Sequence, residues 1–287
     1  MTDSGQHDER SLRNLPWREI LRELDVSPSK ALGQNFLHDR KIVRRIVDVA
    51  DVDRDTHVLE VGPGLGILTS ELIARAGSVT AVELDERLAQ RLQAHFQDQA
   101  TIIQGDILEV DLTRIVPDQP YIVVANLPYS IATAAIQRLL ETEHSPERMV
   151  IMVQREVAER MAASPPEMSI LAIGVQFYAR AKVQFRIGSG AFIPKPRVES
   201  AVIRLDRHAE PPLVREHHQR FFALVKAGFS QRRKRIDNSI AAGLGVSKAV
   251  VRERIEGASI DPASRAERLD VQDWVTLYGH MQDLLDA

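Results

Sequence analysis

Residues 57–69 read HVLEVGPGLGILT, and the change of character along this stretch decides the fold. An apolar run from Val58 to Val61, broken only by Glu60, leads directly into Gly62, Gly64 and Gly66, after which Ile67 opens a helical period. This is a buried strand, a glycine-rich turn and a helix. Glycines in such a turn let the backbone bend tightly and come close to a ligand. The dinucleotide fingerprint requires its third glycine one place later, where this chain has Ile67, so that pattern fails.

Outward from the turn, strand and helix alternate. SVTAVEL, ATIIQGD, YIVVAN and RMVIMVQ read as strands, and GILTSELIARA, DERLAQRLQAHFQ and IATAAIQRLLE as helices between them. The strands are apolar along their whole length, which implies a parallel sheet covered on both faces. After a helix around residues 155–163, AKVQFRI and SAVIRLD are expected to pair antiparallel at one edge. HAEPPLV then reads as a linker. Beyond it, REHHQRFFALVKAGF, KAVVRERIEG and VQDWVTLYGHMQDLL carry helical periodicity. The expected organisation is an N-terminal helical segment over 1–30 containing PWREILRELDV, an α/β domain over 31–209, and an all-helical domain over 210–287. From Asp39, an N-cap residue, DRKIVRRIVDVADV predicts a helix packed against the α/β domain.

Polar residues stand where the predicted strands end. A G-x-G-x-G turn preceded by an acid suits S-adenosylmethionine, and Glu83, closing SVTAVE some 20 residues on, is placed to accept hydrogen bonds from ribose hydroxyls. Asp106 closes ATIIQGD, where it would accept from an adenine amino group, and Asn126 closes YIVVAN. Ligands of open α/β sheets bind outside the carboxyl ends of the strands, so these three side chains converge. The fold class is therefore α/β: a Rossmann-like class I S-adenosylmethionine-dependent methyltransferase sheet, with a small C-terminal all-α domain.

Asn126 opens the sequence Asn-Leu-Pro-Tyr, residues 126–129. An adenine amino group is a poor nucleophile because its lone pair is delocalised into the ring. Two acceptors aimed at its hydrogens localise that pair, and the Asn126 side-chain oxygen and the Leu127 backbone carbonyl are the candidates. Asn is neutral, so its role is positioning and charge stabilisation rather than proton abstraction. Tyr129 would stack on a base splayed out of its helix. Phe192, before a proline-stiffened loop, is a second aromatic that would close on the opposite face.

Composition sets the limits. The chain has 287 residues, 44% of them apolar, enough for a full core and a second smaller domain. No run of about 18 apolar residues and no signal-like start is present, so a cytosolic protein is expected. Zero cysteines exclude disulfides and thiolate chemistry, and the nine histidines show no metal-ligand spacing, so no metal is expected. The net charge of −3 conceals a gradient: residues 180–235 hold 14 Lys or Arg against four carboxylates, the footprint of a polyanion partner. Lys195 and Arg197 flank the prolines after Phe192, and Arg232, Arg233, Lys234 and Arg235 form the last basic cluster, of which some members must be solvated.

Taken together, LGQNFLHD (32–39), EVGPGLGILT (60–69), NLPY (126–129), QREVAERM (154–161), FIPKPRVESAV (192–202) and FSQRRKRIDN (229–238) resemble the ribosomal RNA adenine N6,N6-dimethyltransferase family, in that family's order. The resemblance implies a cofactor-binding set of Asn35, Leu37, Gly62, Gly64, Glu83, Leu84, Asp106, Ile107 and Asn126. It implies catalytic roles for Asn126, Leu127, Tyr129 and Phe192, and RNA contacts by Lys195, Arg197, Arg232, Arg233 and Lys234. The implied substrate is a pair of adjacent adenines in the 3′-terminal hairpin of small-subunit ribosomal RNA, each methylated twice; the expected partner is that RNA, free or in an immature 30S subunit, and a monomer is the default expectation. A related methyltransferase of large-subunit ribosomal RNA and a binding-only assembly factor are the alternatives. The chain departs from the family pattern at SIATAAI after the tyrosine and at RRKRIDN, where secondary RNA contacts are affected.

Overall fold

The computed structural model describes Glu19 and residues 34–116, 118–231 and 233–285. Apart from Glu19, the helix expected over PWREILRELDV lies outside the described residues.

The strands of the opening stretch and its neighbours form one sheet. β1 (Phe36–Leu37) precedes α1 (Arg40–Val49), whose N-terminus is capped by the Asp39 carboxylate through the amides of Lys41 (2.9 Å) and Ile42 (3.3 Å). Then come β2 (His57–Val61), α2 (Ile67–Ile73), β3 (Ser78–Glu83), α3 (Glu86–Phe96), β4 (Thr101–Gln104), α4 (Leu112–Ile115), β5 (Tyr121–Asn126), α5 (Ala132–Glu141) and β6 (Arg148–Gln154). α6 (Arg155–Met161) and α7 (Ile170–Gln176) follow, then β7 (Ala179–Ile187), β8 (Phe192–Ile193) and β9 (Ser200–Arg207). The seven-stranded sheet runs β4-β3-β2-β5-β6-β9-β7. β4, β3, β2, β5 and β6 are parallel, and β9 pairs antiparallel with β6; β9 and β7, the two strands expected to pair at one edge, are neighbours there. The order turns around at β2, with β3 on one side and β5 on the other, and this topological switch point lies directly under the glycine turn.

Register decides what the strand ends present. Val61 pairs with Val82 on one side and Ala125 on the other. Glu83 and Asn126 therefore each stand one residue past the partner of Val61, flanking Gly62. The core behind them is continuous and includes Phe36, Val43, Ile46, Leu72, Leu92 and Val124. A separate two-stranded ladder joins β1 to β8, with Phe36 opposite Ile193 and Leu37 opposite Phe192.

The described residues divide into two units, and the division differs from the one read in the sequence. Residues up to Ala158 fall with Lys182–Arg207, while Glu159–Ala181 falls with the helices after His208. The expected boundary at 210 had assigned this excursion to the α/β domain. It contains α7, a helix the sequence left unread, because seven apolar-rich residues cannot be told from a strand by period alone. Within the second unit, Phe177 at the end of α7 packs on Phe221 of α8 (Arg215–Phe229), ring centroids 4.8 Å apart. α9 (Ile236–Leu244), α10 (Lys248–Gly257) and α11 (Val271–Leu285) complete that unit around the fully buried Trp274 and Tyr278. Three of these helices, α8, α10 and α11, have the bounds that the hydrophobic periodicity sets.

Candidate active site

The three glycines of the turn all take positive φ, +69° at Gly62, +57° at Gly64 and +74° at Gly66. A side chain there would be strained, and at Gly64 it would also collide: a Cβ would stand 3.0 Å from the Phe36 ring. The turn thus brings bare backbone under the N-terminal segment. Its amides are put to use, since Gly64 N–H donates to Glu83 Oε2 at 3.0 Å. The other oxygen of Glu83 accepts the Asp85 N–H at 2.9 Å. Glu83 is 6% exposed, and burial, ahead of the Asp85 charge, raises its pKa against those hydrogen bonds.

A cavity of about 720 Å³, counting its open mouth, lies over these strand ends. Of the residues predicted from sequence, Asn35, Leu37, Gly62, Gly64, Glu83, Asn126, Leu127 and Tyr129 all line it. Side chains from residues 35 to 129 meet here because the parallel register aligns the strand ends and β1 folds over them. Asn126 Nδ2 donates to the backbone carbonyl of Asn35 at 3.2 Å, which leaves Oδ1 as the acceptor of that amide. Leu127 N–H donates to Met152 O at 3.2 Å, continuing the ladder by one residue. Tyr129 is half-buried, and its hydroxyl shares a hydrogen bond of 2.7 Å with Ser200 Oγ.

Other predicted residues stand elsewhere. Leu84 is 46% exposed and Ile107 is 4% exposed, and neither lines the cavity. Asp106 lies past the end of β4 in a turn, where its Oδ1 accepts the Leu108 N–H at 2.8 Å, and it does not line the cavity. Phe192 is only 2% exposed and belongs to the hydrophobic core, because β8 is stitched to β1 with Phe192 opposite Leu37. The expected sandwich of a base between Tyr129 and Phe192 is not assembled here. Lys195, Arg197, Arg233 and Lys234 are exposed, as a backbone-contacting role requires, and Arg232 lies outside the described residues. Arg235 is bound to the fully buried Asp237 at 2.8 Å, which identifies it as the structural member of its cluster.

Several wall residues escaped the sequence reading. Gln34 reaches across to Asp85 Oδ2 at 3.3 Å, and Phe36 and Val43 supply apolar wall. Glu60 is the most unusual. It lines the cavity yet is 1% exposed, and its Oε2 has no hydrogen-bond partner. Burial, with the neighbouring Glu83 charge adding to it, pushes the Glu60 carboxyl up to about 8, so it is protonated and neutral at pH 7. The signal was present in the sequence as an acid inside an otherwise apolar strand.

The site accommodates S-adenosylmethionine on its own geometry. An acidic acceptor stands beside bare glycine backbone, apolar wall follows from Phe36, Leu37 and Leu65, and an amide oxygen stands on the far side.

Comparison with known proteins agrees with that geometry. Residues 27–283 match the family described as ribosomal RNA adenine dimethylase. A ribosomal RNA small subunit methyltransferase A from Dehalococcoides mccartyi is 40% identical over 263 residues, 91% of this chain and 90% of the relative. One of the same description from Geobacillus thermodenitrificans is 41% identical over 282 residues, 93% and 95% of the two chains. Among solved structures, a dimethyladenosine transferase from Plasmodium falciparum superposes with a TM-score of 0.77 at 22% identity, covering 87% of this chain and 98% of its own. The 23S rRNA methyltransferase ErmE superposes with a TM-score of 0.69 at 28% identity, covering 86% and 100%. The chain belongs to the ribosomal RNA adenine dimethylase family and is an S-adenosylmethionine-dependent methyltransferase of ribosomal RNA adenine.

Proposed function

We propose that this enzyme dimethylates N6 of two adjacent adenines in the 3′-terminal hairpin of small-subunit ribosomal RNA, acting on a maturing small subunit. The observation that carries the mechanism is the orientation of Asn126. With Nδ2 held by Asn35 O, Oδ1 is turned to accept from the amino group of a base in the cavity. The Leu127 carbonyl, at the turn into Pro128, is the second acceptor. Together they draw the amino hydrogens out of conjugation and localise the nitrogen lone pair, and they stabilise the positive charge that grows on N6. The Tyr129 ring, tethered through its hydroxyl to Ser200, offers a flat surface on the same wall. Glu83, one oxygen of which is fixed by the Gly64 N–H, would hold the ribose end of the cofactor. When bound, S-adenosylmethionine supplies a methyl group on a positively charged sulfur. Its chemistry there would be transfer of that methyl to N6 with the sulfur leaving as a neutral thioether, and the alkylated nitrogen, now acidic, would lose its proton to water. Asn126 is neutral and never needs to take it.

Relatives about 40% identical and described as small-subunit methyltransferases favour the small subunit over the large-subunit substrate named for the 28% identical ErmE structure. The test is methyl transfer from radiolabelled S-adenosylmethionine to small subunits lacking dimethyladenosine, with large subunits in parallel and nucleoside analysis of the product. N6,N6-dimethyladenosine in the small-subunit hairpin is the expected result. Label appearing only in large-subunit RNA would overturn the substrate assignment.

A further inference from the structure

α1 is unusually basic for a helix packed against a sheet. It carries Arg40, Lys41, Arg44 and Arg45 within six residues, and its buried positions are Val43, Ile46 and Val47. The acids around it are already engaged. Asp39 caps the helix, Asp48 is paired with Arg75, and the buried Glu71 takes Arg75 at 2.9 Å with Arg44 at 3.9 Å. Lys41 and Arg45 are exposed and stand one turn apart on the same face. Arg45 is also held in place, its guanidinium carbon 3.9 Å from the centre of the Phe185 ring.

The position of this face matters as much as its charge. α1 begins three residues after Leu37, a wall residue; its buried face, with Val43, reaches the cavity, while Lys41 and Arg45, two residues to either side of Val43, stand on the opposite, solvent face of the helix. At the far end of the β1–β8 ladder, Lys195 and Arg197 follow β8 and are exposed.

We propose that the exposed basic face of α1, centred on Lys41 and Arg45, contacts the backbone of the RNA substrate outside the cavity. This rests on the ribosomal RNA substrate above. A phosphate contact displaces condensed counterions, so each one lost makes the dependence of log Kd on log salt shallower by about 0.7 to 0.9. The phenyl ring under Arg45 keeps the guanidinium extended at little entropic cost.

The test is binding of the full chain to deproteinised small-subunit ribosomal RNA and to intact small subunits, across a salt series. The variants are Lys41→Gln, the double variant with Arg45→Gln, and Lys41→Arg as a charge-keeping control. Lys41→Gln removes charge without touching the Arg45–Phe185 packing, so it stays informative if the double variant is unstable. We expect weaker binding of Lys41→Gln on both substrates, severalfold at low salt, with a slope shallower by about one phosphate and recovery in Lys41→Arg. An unchanged slope, or weakening on intact subunits alone, overturns the assignment, the latter because it points to a ribosomal protein. Wild-type methyl incorporation, measured separately, tells whether the substrate reading itself has failed.

Discussion

Asn126 and Asn35 are 91 residues apart in the chain, and the side-chain amide of one donates to the backbone carbonyl of the other at 3.2 Å. This one bond selects which end of a symmetric-looking amide is left as an acceptor at the cavity wall. Both Asn126 and Leu127 line the cavity, but only the β1 segment folding over the sheet makes the Asn126 oxygen the free end.

Replacing Asn126 with Asp removes the donor to Asn35 and sets two acceptors against each other. The expected effect is a fall in kcat of about 100- to 1,000-fold, the range for losing one preorganised hydrogen-bonding group in a transition state. Single-turnover methyl transfer at saturating cofactor measures it. A variant within threefold of wild type would remove Asn126 from the chemistry.

Glu83→Ala deletes the acceptor for the amides of Gly64 and Asp85 as well as the proposed ribose contact. Hydrogen bonds to a charged group contribute about 1.5 to 3 kcal/mol each, so cofactor affinity is expected to drop by at least tenfold. Calorimetric titration with S-adenosylmethionine reads this directly, and equal affinities would exclude the ribose role.

Glu60 links stability to pH. Its carboxyl titrates near 4.5 when unfolded and about 8 when folded. Between those values the folded chain keeps a proton that the unfolded chain has released, so this residue makes stability fall as pH rises from about 4.5 to about 8. The contribution is on the order of 3 to 5 kcal/mol across that window. Glu60→Gln should flatten the decline in Tm between pH 5 and pH 8.5, while an identical profile in the variant would show that the buried carboxyl does not titrate as placed.

Gly228 has no room for a methyl group. A Cβ there would come within 2.2 Å of Trp274 Cη2, inside the core of the second unit. Gly228→Ala is expected to destabilise by about 1 to 3 kcal/mol through overpacking, and to perturb indole fluorescence. Urea unfolding followed by fluorescence would show this, and wild-type stability would mean that the indole relocates freely.

Much of the site was legible in the chain because its signals are local. A strand is announced by an unbroken apolar run, and a polar residue at its end, such as Glu83 or Asn126, is visible without knowing any neighbour. Parallel register then does the rest: aligned strand ends bring Gly62, Glu83 and Asn126 together whatever the intervening helices contain. Helical period likewise set the bounds of α8, α10 and α11. Other features were decided by contacts between distant segments, on which local pattern is silent. Phe192 and Asp106 both read as site residues in the sequence; β1 pairing buries the first, and a turn amide takes one oxygen of the second. Glu60 looks like one polar residue in a strand, and only the absence of a partner for its buried oxygen sets it apart. The excursion from Glu159 to Ala181 joined the helical unit because Phe177 finds its apolar partners on α8. Sequence by itself determined the alternation of strands and helices that builds the parallel sheet and the chemistry offered at the strand ends. Tertiary structure alone decided which of those groups face the cavity, because burial and hydrogen-bond satisfaction are settled between segments that only folding brings together.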